Sequence, residues 1–427
     1  MRRFIKPEVQ HYLGSFLLQT SMMVAMTMIP FFTFQHLGGK ERAAALVYGV
    51  QTLSLGATCF LSAPFVTKLR NGLICCLIGA VGFGIFYCAA MFATSVAVFC
   101  VLTGIAMVFF ALAWPALQSW LGAQPDGKLR TKSFSYFNLS IGLGLTLGPL
   151  VAGAFYGINF RFAFLAVLVL SWLAAILLFT LPREKEYFRK SGQPHDPGRN
   201  ETASAPADIR NEIFLYCGWL TNMLGWGLTG AVRTVYAGQI NHLVQAGQLV
   251  LFSRSAPIHI FTSQQGPGAE TIYTWMQAVL SLGYFAAILV MGRTVRWQHR
   301  FWLTAALECI LGMGIWILAG SHSLVVILMC HVTLGAFTAF GYMGSQCYSA
   351  ANPKYKHRRI AINEGLGQTG GFAFPQIFAQ LGTLHGLAWP FNYTPVLLAG
   401  FASLQLFSLQ AAKWRVAGGR RHTPLNS

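Results

Sequence analysis

Six stretches of this chain contain no Asp, Glu, Lys or Arg at all: His11 to Gly39, Ala43 to Thr67, Asn71 to Pro125, Ser133 to Phe160, Cys309 to Pro353 and Gly365 to Ala412. A helix crosses a bilayer core with about 20 apolar residues, so the longest runs each hold two crossings. A soluble globule cannot absorb them. Hydrophobic residues make up 55% of the 427 and charged residues 10%, against roughly 25% charged in an ordinary soluble chain, whose surface needs that charge. The chain reads as an all-α, polytopic membrane protein.

The net charge of +18 would suit a nucleic-acid binder only if the basic residues clustered on one exposed face or arm. Here they occupy short loops between apolar spans, so no nucleic-acid partner is expected. All nine cysteines lie inside apolar spans, with no C-x-x-C spacing. They read as small hydrophobes rather than as a disulfide framework or metal site. The start, Met1-Arg-Arg with Lys6, resembles a signal-peptide n-region. Its apolar stretch continues past Pro30 without a small-residue cleavage site, as a retained first helix would.

Twelve spans are predicted, at about 12–34, 43–66, 73–93, 96–121, 133–156, 162–181, 213–236, 271–291, 301–319, 324–349, 360–383 and 393–412. With the N-terminus inside and the loops alternating, 25 of the 30 basic residues fall on the inner side. That is the asymmetry expected of cytoplasmic loops. An integral, multi-pass protein of a plasma or inner membrane follows, with both termini cytoplasmic. Arg183 to Asn211 is polar and Pro/Gly/Ser-bearing, in the manner of a disordered linker. It separates an N-terminal half (1–182) from a C-terminal half (212–427), six spans in each, as two bundles. The outer loop 237–270 carries apolar patches too short to span, which suit a surface helix or hairpin.

The halves share a faint repeat. A shift of 228 residues places Gln118 on Gln346, Ala123 on Ala351, Pro125 on Pro353, Lys128 on Lys356, Arg130 on Arg358 and Gly142 on Gly370. In the fifth span, Gly144-Leu-Thr-Leu-Gly148-Pro149-Leu-Val-Ala152-Gly153 is similar to the G-x-x-x-G-P-x-x-G-G motif of the major facilitator superfamily. With six plus six spans and a central linker, the whole chain resembles that superfamily. The motif is commonest there among exporters and antiporters. Small residues let helix backbones approach closely, and Pro149 invites a bend, so Gly144, Gly148, Pro149 and Gly153 are candidate packing and gating positions. The loop Ala63-Pro-Phe-Val-Thr-Lys68-Leu-Arg70-Asn-Gly72 departs from the superfamily pattern by lacking its acid. Glu364, beside Arg358 and Arg359, is a candidate for a similar gating role; a plain acid at a helix N-terminus is the alternative.

The resemblance implies a cavity lined by spans one, four, seven and ten. Helical spacing puts Gln19, Trp114 and Gln118, Asn222, Trp226 and Arg233, and His331, Tyr342 and Gln346 on its candidate substrate-binding face. Interhelical bonding without substrate is the alternative for each. Arg233 is the single formal charge on those four spans, which leans the expected solute toward an anion. Glu308, in the ninth span, reads as a structural partner for a nearby arginine.

No P-loop, H-E-x-x-H or G-x-S-x-G occurs. No cofactor is expected, and the chain is not expected to be an enzyme. The resemblance implies a secondary transporter moving a small organic solute across the bilayer by alternating access, as a monomer, with export or antiport as one direction. A membrane-embedded sensor or enzyme on the same scaffold stays open as the second reading.

Overall fold

The computed structural model describes residues 6–68, 72–122, 127–181, 209–251, 268–294, 296–351 and 356–421. Twelve long helices account for nearly all of them. In chain order these are α1 (Pro7–Gln35), α2 (Glu41–Lys68), α3 (Gly72–Ala89), α4 (Val96–Gly122), α5 (Gly127–Ile158), α6 (Phe160–Phe179), α7 (Ile209–Ala231), α8 (Ala269–Gly292), α9 (Phe301–Gly320), α10 (Leu324–Ala350), α11 (Lys356–His385) and α12 (Thr394–Arg421). Each coincides with one predicted span. The charge-free division near Thr94-Ser95 resolves as a short 3₁₀ turn, Ala90–Phe92, before α4. The division between Gly382 and Pro395 resolves as a short helix, Trp389–Asn392, before α12.

α7 does not stop at Ala231. It passes through a π turn, Val232–Tyr236, and continues helically over Ala237–Gln245, so the loop expected from 237 begins as helix. Val250 then forms an isolated parallel bridge with Ser323. Most of the proposed linker, the basic loop after α2 from 69 to 71, and 252–267 lie outside the described residues.

Ten of the twelve helices are apolar enough to cross a membrane by composition alone; α7 and α11 are the exceptions. They are polar because their facing sides bond to one another. Asn222 of α7 donates from Nδ2 to the backbone carbonyl and Oδ1 of Asn363 on α11, at 3.1 and 3.2 Å. Arg359 of α11 grips Glu212 of α7 through two bonds of 2.8 and 2.7 Å. Polar groups at membrane depth are satisfied by protein or cavity water; the Asn222 amide nitrogen finds its partners on α11, while Asn222 Oδ1 and Asn363 Nδ2 are buried with no partner among the described residues.

One apolar core fills the first six helices, built on residues such as Leu18, Phe32, Phe83, Phe110 and Phe164. A second, around Leu224, Ile272, Leu311, Leu334 and Phe378, fills the last six. The two bundles meet where α2 lies against α11 and α5 against α8. Along α2, Gly56 faces Gln368 and Gly49 faces Gln376 and Phe372 of α11. Along α5, Gly142 faces Phe285 and Gly153 faces Thr274 of α8.

The repeat register holds less well at helix level than the spans do. Gly142 looks across the bundles at α8, whereas Gly370, its match under the 228-residue shift, looks at the Met223 carbonyl of α7 within its own bundle. The two glycines therefore occupy different faces of α5 and α11, and their identity in sequence does not reflect equivalent packing.

Candidate functional site

Three aromatic rings from three helices form a near-equilateral triangle between α7, α8 and α10. Ring centroids are 6.4 Å apart for Trp226 and Tyr284, 6.5 Å for Trp226 and Tyr342, and 6.4 Å for Tyr284 and Tyr342. Beside the triangle stands the Glu364 carboxylate of α11. Its Oε1 accepts from the Tyr342 hydroxyl at 3.3 Å and from the Gln346 side-chain amide at 2.6 Å. Tyr342 and Gln346 lie four residues apart on α10 and so share one face, one turn apart. By helix rise, Tyr342 is about 12 Å from the C-terminal end of α10 and Glu364 about 12 Å into α11, which places the group at depth. Trp226, Tyr342, Gln346 and Glu364 nonetheless keep part of their surface exposed.

Glu364 does not pair with Arg359, which is committed to Glu212; it turns to the cavity candidates Tyr342 and Gln346 on α10, about two turns into α11, which begins at Lys356. The count of charges on spans one, four, seven and ten found Arg233 alone because the acid reaches this site from the eleventh helix.

The expected stripes on α7 and α10 divide by depth. Toward the Leu324 end of α10 the polar positions are spent on packing. Thr229 and Thr338 bond each other at 2.9 Å, and Thr338 also donates to the Gly225 carbonyl at 3.3 Å. A side chain at Gly335 would run into the Leu280 carbonyl of α8. His331 is 1% exposed, its Nδ1 2.7 Å from the Ile327 carbonyl of its own helix and its ring 6.0 Å from Tyr236. Toward the other end of α10, Tyr342 and Gln346 meet Glu364. On α7, Trp226 belongs to the triangle and Asn222 is held by Asn363.

Arg233 sits in the π turn, 5% exposed, its Nε donating to Gln277 Oε1 of α8 at 3.0 Å. Its backbone carbonyl accepts from the Tyr273 hydroxyl at 2.7 Å, and the Tyr273 ring lies 5.4 Å from Phe31 of α1. The two bundles are closed against each other here. Gln376 of α11 donates to the Ala45 carbonyl of α2 at 2.6 Å, and Tyr48 of α2 packs on Gly230. Every one of these contacts lies at the end of the molecule where α1 finishes and α2 begins.

In the first bundle, Gln19 is 3% exposed and lies against Gly144. Met23, one turn on, packs with Tyr284 in a small cluster joining the bundles. Trp114 stacks on Phe110 with centroids 5.6 Å apart and leans on Phe137 at 5.9 Å. The side chain of Gln118 lies outside the described residues. Gly144 and Gly148 face α1: a Cβ at Gly144 would stand 3.0 Å from the Phe16 carbonyl oxygen, and one at Gly148 would be 2.9 Å from that of Thr20 and closer still to Met23. Pro149 follows inside α5. Of the motif glycines, Gly153 alone faces across the bundles.

Sequence reasoning missed Tyr284 and Asn363, because it searched only the four helices implied by resemblance. It also misplaced the partner of Glu308. That carboxylate accepts from the Gln405 side-chain amide of α12 at 2.6 Å, and Gln405 donates as well to Thr221 of α7 at 3.2 Å; no arginine among the described residues takes part. An amide inside the charge-free stretch of the last span was the available signal.

Twelve membrane helices in two bundles, joined along two helix pairs and enclosing a polar centre at depth, define a membrane transporter by class. Residues 12–375 match the Major Facilitator Superfamily, and the chain belongs to it. Among solved structures it is similar to a POT family transporter in complex with a thioalcohol-conjugated peptide, with a TM-score of 0.69 at 13% identity, covering 95% of this chain and 96% of that one. It is also similar to a POT family transporter in complex with 5-aminolevulinic acid, with a TM-score of 0.70 at 13% identity and the same coverage. At that identity the likeness is one of fold. No curated protein matches the chain.

Proposed function

We propose that the chain is a secondary transporter that moves a small organic solute by alternating access, with Trp226, Tyr284, Tyr342, Gln346 and Glu364 forming its central site. One observation carries the reading: a carboxylate at membrane depth, held by Tyr342 and Gln346 and still partly exposed. An acid in that setting is costly unless it faces a water-filled path, and a path between two bundles is what alternating access requires. The bundle contacts at Phe31, Tyr48, Tyr273 and Gln376 support a state closed at one end, from which the centre communicates with the other side. With the expected orientation that side is the cytoplasm, and the moving units are 1–182 and 212–427, working as a monomer. The fifth-helix motif supports export or antiport as the direction.

Counterflow in proteoliposomes tests this. Vesicles loaded with a mixture of anionic, neutral and cationic small solutes should exchange at least one of them against its labelled form. Glu364→Gln should slow that exchange at least tenfold. Absence of exchange for every solute by correctly inserted protein would overturn the transport reading.

A further inference from the structure

Glu364 has an unusual set of partners for a carboxylate at membrane depth. Both of its bonds come from neutral donors, the Tyr342 hydroxyl and the Gln346 amide. Among the described residues, the ion pairs are His242 with Glu41 and Arg359 with Glu212; neither involves Glu364. Removing an ion from water is compensated by an opposite charge in good geometry, and among the described residues none is supplied. A counter-charge that comes and goes would complete the site.

We propose that this counter-charge is the alkylammonium group of the transported solute, seated against the Trp226, Tyr284 and Tyr342 rings with Glu364 as its anion. The inference rests on the transport reading above and names the solute class for the same site. The rings carry negative faces, which attract a cation within roughly 6 Å of a centroid, Trp most strongly. With sides of 6.4 to 6.5 Å and interplanar angles of 49°, 89° and 44°, the triangle has a point about 4 Å off the plane of its centroids that lies about 5.5 Å from all three, inside the roughly 6 Å range of such attraction.

The two recognition elements agree in sign. An aromatic face and a carboxylate both favour positive charge, and both disfavour an anion. Tyr342 belongs to both: its ring is one side of the triangle and its hydroxyl bonds Glu364. A neutral solute of the same shape would meet the rings but leave the carboxylate unopposed. Discrimination by charge at constant shape is therefore the property to measure.

The test uses two matched pairs on the purified full chain: choline against 3,3-dimethyl-1-butanol, and tyramine against 4-ethylphenol. Isothermal titration should show at least one cation bound tenfold or more tightly than its neutral partner. Glu364→Gln should reduce that ratio below threefold while leaving the neutral compound within twofold of its starting affinity. Trp226→Leu should weaken the cation tenfold without touching the acid, and serves as the second variant should Glu364→Gln fail to fold. Tyr342→Phe, which keeps the ring, should cost less than Trp226→Leu. Equal binding of cation and neutral partner in both pairs, or no cation binding at all, overturns the proposal. If counterflow then succeeds with an anionic or neutral solute, the transport reading stands and only the ammonium assignment falls.

Discussion

Gln346 holds the Glu364 carboxylate at 2.6 Å across the α10–α11 interface, and this short bond fixes the direction in which the acid points. Hydrogen bonds to charged groups contribute about 1.5–3 kcal/mol, equivalent to roughly ten- to hundredfold in an equilibrium. Gln346→Leu should therefore weaken solute binding by about tenfold or more, because the carboxylate is left with Tyr342 alone. Gln346→Glu should be worse still, since it sets a second acid against the first. Titration of the best solute found in counterflow checks both; a Leu variant within twofold of the parent would mean the bond does not orient the acid for binding.

The spans were legible because bilayer depth writes itself into the sequence as charge-free length. α7 and α11 were legible as spans despite their polarity because residues 213–232 and 365–385 carry no Asp, Glu, Lys or Arg. The site was legible only in part. Trp226, Tyr342 and Gln346 were found from helical spacing, which says which residues share a face. Spacing cannot say which other helix that face meets. Glu364 and Tyr284 belong to α11 and α8, and their approach to α10 is a tertiary fact. The same limit explains Glu308, whose partner Gln405 is 97 residues away in sequence.

The Arg359–Glu212 pair ties α11 to α7 by a bidentate grip, with side chains 15% and 31% exposed. Exposed ion pairs contribute at most about 1 kcal/mol, and bidentate geometry puts this one at the upper end. A double-mutant cycle of Arg359→Leu and Glu212→Gln should give a coupling of about 1 kcal/mol in thermal unfolding in detergent. Additive effects would show that the pair is energetically idle.

The fifth-helix glycines divide by what they touch. Gly148 presses α5 onto α1 within one bundle, where a Cβ meets backbone, so Gly148→Ala should lower the melting temperature and reduce the yield of folded protein. Gly153 faces the Thr274 side chain of the other bundle, so Gly153→Ala should slow exchange more than it lowers stability. Melting temperature and exchange rate measured on both variants separate the roles. The reverse pattern would place the moving contact at Gly148.

The orientation expected from the basic loops is tested by position. Reporter fusions after Arg189 and after Arg421 should both read as cytoplasmic, and one near Gln264 as external. An external reading at either of the first two overturns the assignment of both ends to the cytoplasm.

Arg233 decides between two solute charges. On sequence alone it leaned the solute toward an anion. The structure buries it in the π turn against Gln277, two helical turns from Trp226, about 10.5 Å along the axis. A unit charge at that distance opposes a cation at the triangle by about 1.6 kcal/mol at an effective dielectric of 20, and about 0.4 kcal/mol in water. Arg233→Gln should therefore tighten choline or tyramine binding by about two- to fifteenfold, with the neutral partner unchanged. An anion-binding site predicts the opposite: Arg233→Gln would abolish binding of an anionic solute and leave the ammonium compounds indifferent. Because the same substitution moves the two readings in opposite directions, titration of one variant against the matched pairs and one carboxylate solute separates them. Loss of carboxylate binding with no gain for either cation would return Arg233 to the centre of the site.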